Sequence, residues 1–181
     1  MVMARYSSPK VGGLLRRGNT ATTTTEKGRI LEDLICYIFG KVPGMPITER
    51  NTMNVFETEE IDVAFWNDRS ERGFHFLPHV ILVECKNWSR PVGSAEVAYF
   101  VKKLENKGLD FGILVAANGI TGSSTDSTRA NFEVSMALAR GIRLIVITRD
   151  EIESLAETDD LVALLKVKLC KLALSGAAQN A

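Results

Sequence analysis

The sequence has no excess of charge of either sign, because 22 Lys and Arg residues balance 22 Asp and Glu residues. A protein without net positive charge does not attract nucleic acid strongly through its overall field. Any binding of DNA by this chain must therefore come from local basic patches.

Long hydrophobic runs and paired cysteines are also missing. No apolar run is long enough to span a membrane, and residues 1–25 lack the hydrophobic segment of a secretory signal. The cysteines Cys36, Cys85 and Cys170 are scattered and odd in number, which argues against a disulfide framework or a zinc site. We therefore expect a cytoplasmic protein without a membrane partner. The length of 181 residues suits one domain.

Short apolar runs, typical of strands, alternate along the chain with segments of helical periodicity. This order predicts an α/β fold. We expect strands at residues 54–57, 62–66, 80–86, 111–117 and 142–148, and a loop at residues 42–52. We expect helices at residues 26–39, 94–107, 127–139 and 159–174, with Thr25, Ser94 and either Asp126 or Ser127 as N-caps. The predicted domain is residues 26–174, followed by a frayed tail at 175–181.

Residues 1–25 contain four basic residues and no acidic one, without an apolar period. This composition predicts a disordered basic arm. Two interpretations are open: an arm that contacts phosphate, or an ordinary disordered terminus.

The stretch at residues 78–90 organises the predicted sheet. Its apolar run, residues 80–83, is typical of a strand covered on both faces. Glu84 and Lys86 follow, and strand alternation points both side chains to the same face. They form either a strand-end ion pair or, with a further carboxylate, a chemical site.

Asp62 can supply that further carboxylate. It begins a strand-like run that a loop at residues 67–78 connects to the buried strand. Two strands joined in this way are most simply antiparallel neighbours, so the start of the first lies beside the end of the second. The topology therefore brings Asp62 close to Glu84 and Lys86.

Asp62 with Glu84-Cys85-Lys86 resembles the signature of the PD-(D/E)xK restriction-endonuclease-like nucleases. The following residues 87–93, Asn-Trp-Ser-Arg-Pro-Val-Gly, resemble the Mrr-like branch of that superfamily. The resemblance covers roughly residues 26–148. It implies a restriction-endonuclease-like core of order αβββαβ with an additional αβα, built on a mixed sheet of about five strands flanked by helices.

The resemblance also implies a metal-dependent DNA endonuclease of the restriction or defence type. In such a site Asp62, Glu84 and the backbone carbonyl of Cys85 bind Mg²⁺, for which Mn²⁺ can substitute. Lys86 orients the attacking water or stabilises the pentavalent phosphate. Glu32, at the border of the apolar face of the first helix, matches a glutamate that joins the metal site in many family members. A solvated helix glutamate is the other interpretation.

Partners of the chain are predicted less directly. Residues 86–107 are the most basic part of the predicted domain, and we expect DNA contacts from Asn87, Arg90 and Lys102. The last helix is apolar on more than one face, so either the domain buries it deeply or part of it contacts another subunit. We expect the second arrangement, in a homodimer. No module that reads DNA sequence is evident, so a separate targeting or activating subunit is a further expectation. Two alternatives stay open: a Holliday-junction-resolvase-like nuclease, and a catalytically silent DNA-binding or scaffold subunit.

Overall fold

A computed structural model of the chain describes residues 4–53, 60–122 and 130–176. Within these residues five strands form one mixed sheet in the order β1-β2-β3-β4-β5. The strands are β1 (Ile47–Met53), β2 (Glu60–Trp66), β3 (Val80–Lys86), β4 (Phe111–Ala116) and β5 (Arg143–Ile147). The helices are α1 (Ser8–Thr20), α2 (Thr24–Phe39), α3 (Ser94–Asn106), α4 (Ala130–Ala139), α5 (Arg149–Glu153) and α6 (Thr158–Ser175). The expected α/β fold with a five-stranded mixed sheet is confirmed.

Strands β3, β4 and β5 form the parallel half of the sheet. Each has a continuous apolar run, and all six residues of β4 are buried. Helices α3 and α4 connect these strands, as parallel neighbours require. The carboxyl ends of β3, β4 and β5 therefore lie at the same edge of the sheet.

Strands β2 and β3 are antiparallel, as the sequence predicts, with Val63 opposite Val83 and Trp66 opposite Val80. Asn67 organises the loop between them: it is fully buried, and its Nδ2 donates to the carbonyls of Phe74 at 2.8 Å and of Pro78 at 3.0 Å. These bonds satisfy backbone groups that a loop inside the fold would otherwise leave unpaired. The loop thus supports the register of the hairpin.

The prediction of a loop at residues 42–52 is wrong for its second half, which forms β1 and pairs antiparallel with β2. This strand is an edge strand, and its polar side chains are mostly exposed. Hydrophobic alternation, the main sequence signal for a strand, is therefore weak there. The first strand expected at residues 54–57 lies outside the described residues.

The prediction of a disordered arm is also wrong, because α1 lies within residues 1–25. Ser7 caps it by accepting a hydrogen bond from the Lys10 N–H. Val11 and Leu14 are buried, and Tyr6 donates to the Ile38 carbonyl at 3.3 Å. Three glycines and several basic residues interrupt the apolar period of this segment, so the sequence pattern does not reveal its packing against α2.

Helix ends differ slightly from the predictions. The N-cap of α2 is Thr23, whose hydroxyl accepts from the Glu26 N–H, in place of the expected Thr25. The N-cap of α3 is Gly93, without a side-chain hydrogen bond, in place of Ser94. The predicted caps of α4 lie outside the described residues, and the five-residue α5 was not predicted.

Helix α6 buries one face, including Leu161, Leu165 and Leu172, and exposes Val167 and Leu174. It ends at Gly176, which adopts a left-handed C-cap with φ 68°. Of the predicted tail, residues 177–181 lie outside the described part of the chain. Across the described ranges, the helices are too short or too polar to traverse a lipid bilayer.

Candidate active site

The hairpin register determines where Asp62 lies. Because Val63 pairs with Val83, the next residues along the two strands, Asp62 and Glu84, are opposite each other. Asp62 Oδ2 accepts a hydrogen bond of 2.7 Å from the backbone N–H of Cys85. The carboxylate of Asp62 thus continues the hydrogen bonding between β2 and β3.

Glu84 and Lys86 lie on one face of β3, as strand alternation requires. Lys86 Nζ donates to Glu84 Oε1 at 2.7 Å. Glu84 is buried, with an exposed fraction of 5%. The structure therefore brings Asp62, Glu84 and Lys86 together at the carboxyl end of β3.

Lys103, which was not predicted as a site residue, reaches the same carboxylate from α3. Its Nζ donates to Glu84 Oε2 at 2.5 Å and to the Glu60 carbonyl at 2.6 Å, and only 3% of the residue is exposed. Spacing offered one signal, since Lys103 lies three residues after the inward-facing Phe100 on the helix. The two oxygens of Glu84 are thus shared between two ammonium groups.

The ionisation of Asp62 depends on this arrangement. Burial and the negative charge of Glu84 raise the pKa of Asp62 to about 6, although the Cys85 N–H, Lys86 and Lys103 act in the opposite direction. The burial and the nearby negative charge both disfavour the ionised form of Asp62. A cation bound beside Asp62 would favour that form.

Lys86 and Cys85 have protonation states that limit their chemistry. Burial lowers the pKa of Lys86, but the charge and hydrogen bond of Glu84 and the charge of Asp62 outweigh this effect, and the net pKa is raised. Lys86 is thus an ammonium donor at neutral pH and not a general base. Burial raises the pKa of the Cys85 thiol well above its usual value, so its side chain is not a thiolate.

A cleft of about 340 Å³ opens beside these residues. Asp62, Lys86 and Glu32 all line it, so Glu32 faces the same space from α2. The Glu32 side chain is 8% exposed and pairs with Arg50 of β1 at 3.4 Å. Arg50 also pairs with Asp33 at 2.7 Å, a partnership that the sequence analysis did not identify.

The three residues predicted to contact DNA occupy different surroundings. Asn87 lines the cleft and is largely buried. The guanidinium of Arg90 lies 4.8 Å from the ring centroid of Trp88, and Arg90 is exposed. Lys102 is exposed and pairs with Glu105 at 3.3 Å, and it does not line the cleft.

The donor set fits a hard divalent cation. Asp62 and Glu84 offer carboxylate oxygens, and the Cys85 carbonyl faces the β2 side, because its N–H already points there. Within residues 4–53, 60–122 and 130–176, no group of three or more His, Cys, Asp or Glu side chains is arranged to hold a metal ion. Two carboxylates are enough for Mg²⁺, which retains waters. An ion at Glu84 would compete with Lys86 and Lys103 for its oxygens.

The raised pKa of Asp62 predicts how stability depends on pH in EDTA. Folding favours the protonated form, so this stabilisation is complete below about pH 4 and is lost as the pH rises through about 6. Thermal melts of wild type and Asp62→Asn should show the advantage of the variant growing between these values. The exposed Asp68→Asn variant is the control. A constant difference between wild type and Asp62→Asn from pH 4 to pH 7 would contradict this assignment.

Breaking the contact between Lys103 and Glu84 should destabilise the fold. We expect Lys103→Met to lose about 3 kcal/mol or more of unfolding free energy, because it leaves a buried carboxylate with one cation fewer. Mn²⁺ should restore part of this loss, and should stabilise the variant more than it stabilises wild type. The neighbouring Lys102→Met, at an exposed position, should change stability by less than about 0.5 kcal/mol. Urea unfolding with and without Mn²⁺ measures both effects. A Lys103→Met variant with the unfolding free energy of wild type would refute the ion pair.

Comparison with known proteins identifies the family of this chain. Residues 31–155 match the model of the Mrr_cat family, described as restriction endonuclease. No curated protein matches the sequence. The match covers more than half of the chain and includes strands β1 to β5, so the expected relationship is confirmed. The chain belongs to the Mrr_cat family of restriction-endonuclease-like nucleases, within the PD-(D/E)xK superfamily.

Proposed function

We propose that this protein is a Mg²⁺-dependent DNA endonuclease of the restriction or defence type, with Mn²⁺ as a substitute ion. The observation that carries this proposal is the meeting of Asp62, Glu84 and Lys86 in a chain of this family, beside a cleft that Asp62 and Lys86 line. Hydrolysis of a phosphodiester needs an activated water and a positive charge beside the phosphate, and a bound divalent ion supplies both.

In this proposal Asp62, Glu84 and the carbonyl of Cys85 hold the ion. Glu32 would bind the ion directly through its carboxylate or indirectly through a water molecule. Either contact requires its ion pair with Arg50 to open. These oxygen ligands are the type that Mg²⁺ prefers. The ionised form of Asp62 is the one that binds, so metal binding should strengthen as the pH rises through about 6.

Lys86 then has the role of a charged donor. Its ammonium group, released in part from Glu84, would donate to a nonbridging phosphate oxygen and stabilise the charge that develops on the pentavalent phosphate. The raised pKa of Lys86 supports this role over that of a base. Asn87, Arg90 and Lys102 remain our proposed contacts to DNA outside the reacting group.

Nicking of supercoiled plasmid tests the proposal. Wild type should cleave with Mg²⁺ or Mn²⁺ and not in EDTA. Lys86→Ala should stay folded and bind metal but cleave at least about a hundredfold more slowly, the scale of losing one electrostatic group. Asp62→Ala should lose metal binding and cleavage together. The control is Arg140→Ala, an exposed residue paired with Glu105.

Three results would count against this assignment. Wild-type-like nicking by a folded Lys86→Ala variant would show that the active site is elsewhere. Failure of wild type to cleave supercoiled, linear, single-stranded or branched DNA would favour the silent scaffold. Cleavage of branched DNA alone would identify the structure-selective alternative.

We also propose that the protein forms a homodimer through α4 and α6. Val167 is 50% exposed and Leu174 is 88% exposed on α6, while Phe132 is 50% exposed on α4. Ser135 Oγ donates to the Gly176 carbonyl at 2.6 Å, so α4 lies against the end of α6. Exposed apolar groups on neighbouring helices favour association.

Light scattering at micromolar concentration should give the mass of a dimer for wild type and of a monomer for Val167→Glu. The charge introduced by the substitution would have to be desolvated in the interface, which disfavours association. Glu49→Lys, at an exposed position on the edge strand β1, is the control and should remain dimeric. A monomeric wild type would refute the dimer.

Two further inferences concern the cellular setting. The free cysteines Cys36, Cys85 and Cys170 are consistent with a reducing cytoplasm. A separate subunit would supply targeting, since the part of the chain that the structure describes contains no helix-turn-helix or other module that reads DNA sequence. Fractionation and co-purification from cells that express a tagged chain test both inferences.

A further inference from the structure

A second cleft, of about 270 Å³, lies next to the candidate active site. The two clefts share Asn87 and Trp88 in their linings. We call it the Lys27–Arg149 cleft; the residues that line it are Gly18, Asn19, Lys27, Asn87, Trp88, Ser89, Asn118 and Arg149. Any extended ligand bound at Asp62 and Lys86 therefore has this cleft as its neighbour.

The charge of this lining is positive. It contains Lys27 and Arg149 and neither aspartate nor glutamate. Within the described ranges, neither of these cations forms an ion pair with a carboxylate, whereas the lysines at Glu84 do. The chain as a whole has no net charge, so a local excess of this kind is a specific feature and not part of a general field.

Arg149 is held in place by neutral groups. Its guanidinium donates to the side-chain carbonyl of Asn87 at 2.8 Å and to that of Asn19. Asn87 is largely buried, and its Nδ2 donates to the Lys27 carbonyl at 3.0 Å. Amide oxygens orient the guanidinium without neutralising it, and these bonds use only part of its N–H donors. An oriented, uncompensated guanidinium suits an anion, and phosphate above all.

The topology explains why this group is next to the candidate active site. Asn87, Asn118 and Arg149 each follow the carboxyl end of a parallel strand, β3, β4 and β5 respectively. Ligands of open α/β sheets bind outside these strand ends. Asn87 comes directly after Lys86, so one short segment lines both clefts.

We propose that the Lys27–Arg149 cleft binds a backbone phosphate of the nucleic acid beside the phosphodiester that reacts, with Lys27 and Arg149 as its cations. The identity of the ligand as nucleic acid rests on the proposed nuclease function. The cleft fixes the register of the strand relative to Asp62 and Lys86. Arg149 and Lys27 thereby position the substrate and take no part in bond breaking.

Fluorescence anisotropy with a labelled DNA duplex in EDTA, at several salt concentrations, tests this proposal without cleavage. Arg149→Gln and Lys27→Gln should each weaken binding by about five- to tenfold and lower the slope of log affinity against log salt by about 0.9. The matched control is Arg140→Gln, which removes the same charge at the opposite end of β5 and should bind as wild type does.

Lys27→Gln provides a second measurement in case Arg149→Gln does not fold. Arg149→Gln removes hydrogen bonds to Asn19 and Asn87, so its melting temperature must be compared with that of wild type. Lys27→Gln leaves the Lys27 carbonyl, and hence its bond to Asn87, in place. If Arg149→Gln does not fold, the result for Lys27→Gln decides.

Unchanged affinity and salt slope in folded Lys27→Gln and Arg149→Gln variants would overturn the proposal. Equal weakening by Arg140→Gln would also overturn it, since the effect would then be one of general charge. If wild type does not bind DNA at low salt, phosphate binding in this cleft is refuted, even if plasmid nicking shows that the protein is a nuclease. If wild type binds DNA through this cleft but cleaves none, the proposed phosphate binding is supported and the nuclease proposal fails. Stabilisation by inorganic phosphate without any change in DNA affinity would mean a site for free phosphate, and would overturn the proposal.

Discussion

The charge balance at Glu84 is the constraint on which the candidate active site depends. Its carboxylate is buried, and a buried charge is tolerated only with partners. Lys86 supplies one partner from the same strand, and Lys103 supplies the other from α3. Lys103 connects α3 to this edge of the sheet, and the charge of Glu84 keeps Lys86 protonated. Burial, together with the negative charge of Glu84, raises the pKa of Asp62.

The same cluster explains how metal and substrate binding could depend on each other. Asp62 and Glu84, when ionised, are balanced by Lys86 and Lys103. A divalent ion added to this balanced set leaves the site with excess positive charge. A phosphate group can neutralise that excess, so under the proposed function each of the two ligands favours the binding of the other.

Helix α1 and the segment after β3 link the two clefts. Asn19, near the end of α1, and Asn87, just after β3, both accept hydrogen bonds from Arg149. Gly18 allows this close packing, because a Cβ there would lie 3.1 Å from Asn87 Nδ2. The N-terminal segment is thus part of the surface where nucleic acid is proposed to bind.

The sequence by itself determined the buried strands and the same-face placement of Glu84 and Lys86, since apolar runs and strand alternation are local properties. It also brought Asp62 to them, because a hairpin leaves little choice of topology. Only the tertiary structure decided that Lys103 binds Glu84 and that Arg149 has no carboxylate partner among the described residues. Helical spacing shows which side of a helix is buried, but not which charge stands opposite. That information exists only when distant segments are packed together.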